Sequence, residues 1–184
     1  MRETQKDRYV IFSSVGDGST LTNSGEQMLS HQIITIPAGF IQAGKVLKAT
    51  LMGKASNAST TPGTLLLRVR WNTTTGINGT AMAASAALTQ LAASTQTDKT
   101  WVWIQYFNCI ADGTSGAMRC IGTIIRGNRE AAAVTDITPD LIPASAAADV
   151  TINTTIPVGL SFTASPSLTT ASITCQFMVL EALN

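Results

Sequence analysis

Charge is scarce in this chain. Only 12% of its 184 residues are Asp, Glu, Lys or Arg, and 12 basic residues nearly balance 11 acidic ones. A net charge of +1 is too small for a surface that holds nucleic acid by neutralising phosphates, which takes clustered Lys and Arg. Histidine occurs once, at His31, so neither a zinc site nor a Ser-His-Asp arrangement is suggested. Three cysteines, Cys109, Cys120 and Cys175, form no CxxC pair and leave one over however they combine. They read as reduced, buried small hydrophobes. No run reaches the ~18 apolar residues of a membrane-spanning helix, and no membrane partner is expected. The opening MRETQKDRYV has no apolar core of the kind a secretory signal needs, so synthesis in the cytoplasm is expected. Nucleotide-binding glycine motifs are missing as well, and no cofactor is expected.

Hydroxyl residues are abundant instead. Ser and Thr together number 42, a composition that favours strands and polar turns over surface helices. Leu65, Leu67, Val69 and Trp71 alternate with Leu66, Arg68, Arg70 and Asn72, the period of a half-buried antiparallel strand. Leu47, Ala49 and Leu51 oppose Val46, Lys48 and Thr50 in the same way, and Ile173, Cys175, Phe177 and Val179 oppose Thr174, Gln176, Met178 and Leu180. Further strands are expected at 28–36, 81–94, 100–110, 117–125 and 156–164. Between Ile36 and Lys45, Pro37 cannot donate to a ladder and Gly39 and Gly44 allow tight turns, so a corner joins two strands there. Eight or so short strands without alternating helices predict an all-β protein, an antiparallel two-sheet sandwich of jelly-roll type; a lipocalin-type barrel is the structural alternative. Residues 1–14, rich in charge, form an extended N-terminal arm, and 15–184 form one domain with a long loop at about 127–149.

Reactive groups are few. A lone His31 on an apolar run is read as a hydrogen-bonded structural residue. Glu26, Asp98, Asp112, Asp136 and Asp140 sit beside Gly, Thr or Pro, where turns and caps account for them. The Gly16-Asp17-Gly18 triplet lacks the alternating ligands of a calcium loop, and no metal is expected. Trp101, Trp103 and Phe107 share one face of a strand, where they build a sheet core and an interface edge or stack on sugars or bases. Function then lies in surfaces. The candidate contact residues are Arg2, Lys6, Arg8 and Tyr9 of the arm, Arg68 and Arg70, and Trp101 and Trp103.

The stretch IITIPAGFIQAGKVLKATLMGKASNASTTPGTLLLRVRWN (Ile33–Asn72) and the later NTTIPVGLSFTAS…SITCQFMVLEAL (Asn153–Leu183) resemble small virion proteins of tailed bacteriophages. In these a strand ends in an IPAG corner, AGKVL opens the next strand, and a TLRVR-like segment follows. The resemblance covers about half the chain. It implies a jelly roll with no enzymatic activity that decorates and cements the capsid exterior of a virion. Its partner would be the major capsid protein, and its assembly a homotrimer whose arm adds a strand to a neighbour's sheet. A tail, baseplate or head-fibre component is the second expectation, and a glycan-binding or hydrolytic jelly-roll module using Trp101 and Trp103 the third.

Overall fold

Alternating strands do dominate the molecule. The computed structural model describes residues 9–22, 25–58, 63–89, 95–127, 139–145 and 147–184. These residues contain thirteen strands and no helix: β1 (Tyr9–Val15), β2 (Gln27–Met28), β3 (Ile34–Ile36), β4 (Val46–Asn57), β5 (Thr64–Trp71), β6 (Thr80–Ala84), β7 (Leu88–Thr89), β8 (Gln96–Ala111), β9 (Gly116–Arg126), β10 (Asp140–Ile142), β11 (Asp149–Ile152), β12 (Val158–Pro166) and β13 (Ala171–Ala182).

They form two antiparallel sheets packed as a sandwich. Sheet A runs β1-β13-β4-β8-β9-β10, with β11 also on β9; sheet B runs β2-β12-β5-β6, with β3 on β12 and β7 on β5. The pairings are nested: β1 with β13, β3 with β12, β4 with β8, and β5 with β6. One long hairpin has thus been folded over on itself, and the chain changes sheets at each fold. The corner at 37–45 is one of these crossings, taking the chain from β3 in sheet B to β4 in sheet A. Gly39 and Gly44 both adopt positive φ there (70° and 82°), which other residues rarely tolerate. The Gly44 N–H donates to the Cys109 carbonyl at 2.8 Å, fixing where β4 begins against β8.

The core fills the space between the sheets. Leu65, Leu67, Val69 and Trp71 of β5 are all buried, as their alternation requires. Opposite them Trp103 and Phe107 of β8 meet Phe162 of β12 edge to face, with ring centroids 5.1 and 6.2 Å apart. Such pairs contribute roughly 1 kcal/mol each beyond the area they bury. Cys109, Cys120 and Cys175 are free and buried. Desolvation pushes the Cys120 thiol up to about 12 and the Cys175 thiol to about 11, so both stay protonated and unreactive.

Four expectations change. The last six residues of the anticipated arm, Tyr9–Ser14, belong to strand β1, which pairs along β13. Charge density ends at Arg8, but the strand-forming YVIFSSV that follows belongs to the sheet; residues 1–8 lie outside the described residues. The strand expected at 28–36 is broken by a bend at Ser30–Gln32 into β2 and β3. The strand at 81–94 is likewise two short ones, β6 and β7, with 90–94 outside the described residues. Within the presumed loop at 127–149, Asp140–Ile142 pairs with β9 as β10; residues 128–138 and 146 lie outside the described residues.

The alternation of β13 also breaks. A bulge between Cys175 and Phe177 inserts Gln176 and shifts the register against β4 by one residue. Ile173 and Cys175 are buried as the alternation predicts, but beyond the bulge Met178 and Leu180 point inward, and Phe177 and Val179 turn to the outer side. A one-residue slip exchanges the faces of everything beyond it.

Candidate functional site

The bulge matters because it completes an apolar surface. Side chains on the outer face of sheet A line up in cross-strand rows. Val15, Phe177, Met52, Val102 and Ile125 stand opposite one another across β1, β13, β4, β8 and β9. The next row holds Ser13, Val179, Thr50, Ile104, Thr123 and Leu141. In a third, Val10 and Glu181 lead through Lys48 to Tyr106 and Ile121. Val15 is 82% exposed, Leu141 61% and Ile121 53%. The outward face of an antiparallel sheet is ordinarily polar. Here one row crosses five strands without a polar residue.

With strands ~4.8 Å apart and same-face residues ~7 Å apart, this area measures about 500 Å². That is at the upper end for apolar patches on monomers, which when this large mark interaction sites. Charge enters it in the third row, where Glu181 and Lys48 stand between Val10 and Tyr106, and otherwise lies around it. Lys48 faces Glu181 across β4 and β13, Arg119 of β9 pairs with Asp149 at 2.8 Å, and Lys54 reaches Asp17 at 3.2 Å. An apolar centre with a polar rim is the anatomy of a protein–protein contact.

Sheet B presents the opposite character. Arg68 and Arg70 of β5 and Thr163 of β12 converge on Glu26, which precedes β2. Arg68 Nη1 donates to Glu26 Oε2 at 2.9 Å, Arg70 Nε and Nη2 donate to its two oxygens at 2.8 and 2.6 Å, and the Thr163 hydroxyl donates at 2.6 Å. Partial burial pushes the Glu26 carboxyl up. The Arg70 hydrogen bonds, the Thr163 hydroxyl and the two guanidinium charges outweigh that, so it titrates below the ordinary glutamate range. These arginines spend their donors inside the molecule.

The residues singled out from sequence therefore scatter. Arg2, Lys6 and Arg8 lie outside the described residues. Tyr9 opens β1, 62% exposed, its ring 6.5 Å from that of Phe40. Arg68 and Arg70 are locked to Glu26. Trp101 and Trp103 are both buried between the sheets, with Trp101 Nε1 donating to the Lys54 carbonyl and Trp103 Nε1 to Gln105 Oε1. Neither ring is available for stacking or for an interface. The outer-face set, Met52, Val102, Ile104, Tyr106, Ile121, Ile125 and Leu141, was missed. A signal existed: WVWIQYF is apolar on both sides of its alternation, which a half-exposed strand has no internal reason to be.

One hydroxyl–imidazole contact invites a chemical reading. His31 Nε2 donates to the Cys175 carbonyl at 3.0 Å, which leaves Nδ1 to accept from the Ser14 hydroxyl. Both groups line an open depression with Gly16, Asp17 and Gly18. Among the described residues no carboxylate takes the His31 N–H as the third partner of a catalytic serine would: the Cys175 carbonyl accepts it, and Asp17 is held by Gln176 at 2.7 Å and by Lys54. The Gly16 and Gly18 N–H groups, which could have faced an oxyanion, already donate to the Gln176 and Cys175 carbonyls. The contact ties β1 to β13.

No protein-family model matches the chain, and no curated protein matches it either.

Proposed function

We propose that this protein works by contact, docking the outer face of sheet A onto a larger assembly, and that it is a decoration protein of a bacteriophage capsid. The observation that carries the docking reading is the uninterrupted row Val15–Phe177–Met52–Val102–Ile125, framed by ion pairs. The nested strand order supports reading the sandwich as a jelly roll, with β9, β10 and β11 as an extension of one sheet; viral capsid and lectin domains use that architecture. The phage virion comes from the resemblance carried by Ile33–Asn72 and Asn153–Leu183. Burial of Trp101 and Trp103 removes the stacking platform on which a glycan-binding reading rested.

Energetically, about 500 Å² of wholly apolar surface would give roughly 12 kcal/mol gross at ~25 cal/mol/Å², an upper bound for a face whose rows also hold Ser13, Thr50, Thr123, Lys48 and Glu181. Association costs of similar size leave a modest net affinity per copy. A partner that binds the assembled shell and not its free subunits stabilises the shell by mass action. Immunogold labelling of intact virions tests the assignment. Gold over the heads is the expected result; gold over tails would move the protein to the tail or baseplate, and unlabelled virions would end the virion reading.

A further inference from the structure

From the edges of the two sheets we infer that the chain forms a twofold dimer in which β1 pairs antiparallel with β1 of a second copy. An edge strand exposes unpaired N–H and C=O groups, and proteins guard such edges with charge, proline, shortness or cover. The far edge of sheet A has the first three of these: β10 spans three residues and runs into Pro143, β11 spans four, and the ion pairs Arg126–Asp140 and Arg119–Asp149 lie along it. In sheet B, β2, β3 and β7 span two or three residues, and the five-residue β6 accepts a hydrogen bond from Ala144 N–H on the Ala84 carbonyl.

Among the described residues β1 has none of these four defences, its one irregularity being the register shift between Val10 and Phe12. Its seven residues, YVIFSSV, include no charge and no proline, and among the described residues it pairs with β13 alone. Val15, Tyr9 and Val10 are among the most exposed large apolar side chains of the described residues. Length and charge decide the occupant. Every other described edge is too short or too charged to match seven neutral residues, so a head-to-tail ring has no suitable acceptor. A second β1 matches in both respects, and no like charges oppose one another across the axis. This points to a dimer in place of the trimer expected from the resemblance.

The twofold axis of such a pair stands perpendicular to the sheet. Both outer faces of sheet A then look the same way and join into one surface of about twice the width, so two modest contacts act together. The pairing itself does not depend on what the outer face docks against.

Sedimentation-equilibrium mass, measured over a concentration series, tests the dimer. The expected result is a reversible shift from 19.3 kDa towards twice that value. Val10→Lys/Val15→Lys, which puts the natural edge-guarding residue at two exposed positions, is expected to leave only monomer. Leu141→Lys at the opposite edge is expected to dimerise like the wild type. A trimer, a wild-type monomer at every concentration, or a dimer that survives the double lysine overturns the proposal. Hydrogen exchange of the wild type gives a reading that no misfolded variant can confuse. Amides of β1 must become slower with concentration; concentration-independent exchange there also overturns it.

Discussion

The two outer faces of this sandwich are made from similar strands and do opposite things with them. On sheet B, polar side chains that point outward are satisfied at home: Arg68, Arg70 and Thr163 all close on Glu26. On sheet A, apolar side chains point outward and are left partly or largely exposed by the described residues, with Lys48 and Glu181 the charges in one of their rows. Burying a guanidinium without a partner costs energy, so sheet B has to supply one internally. An exposed isoleucine costs little in isolation. A coherent field of them is therefore not required by folding, and it is the feature on which the proposed docking rests.

The sharpest test of which side is which uses the β13 bulge. Leu180→Ala removes a fully buried side chain and should lower unfolding free energy by about 3 kcal/mol in a denaturant titration. The adjacent Val179→Ala should cost under ~1 kcal/mol, because Val179 faces outward. Equal losses would mean that the register shift at Gln176 is misplaced and the two-face comparison is wrong.

Next in size is the sheet B cluster. Glu26→Ala leaves two guanidinium groups adjacent and unpaired, and should cost about 2 kcal/mol. Glu26 titrates below its ordinary value of 4.5, so its contribution is fully present above that pH. It is lost as pH falls through the lowered folded-state value. The stability gap between wild type and Glu26→Gln should accordingly be constant near neutrality and close only on acidification below about 4.5. A gap that opens on acidification would show that the carboxyl is not held by the arginines.

Legibility from sequence followed the range of the forces involved. Local alternation was readable: β5 buries the four residues its pattern assigns to the core, and the 37–45 corner turns where proline and glycine placed it. Non-local events were not. The Gln176 bulge depends on pairing with β4, and nothing in SITCQFMVL marks it. Glu26 meets arginines 42 and 44 residues away, so the strand pattern of β5 alone left Arg68 and Arg70 looking like free surface cations. The tryptophans were placed on the correct face of β8, but their aromatic mass drew attention to the side that is buried. The side proposed for docking was the plainer one, Val102, Ile104 and Tyr106, and it becomes visible only when β9 and β10 bring Ile121, Ile125 and Leu141 alongside.

The central claim is most directly tested by co-sedimentation with purified heads, comparing wild type with Met52→Lys/Ile125→Lys. Both substituted positions are exposed on sheet A, so thermal stability should stay close to that of the wild type. The variant should remain in the supernatant while the wild type pellets. A variant that keeps its fold and still saturates the heads would contradict the account, because the apolar face would then not be the surface that binds.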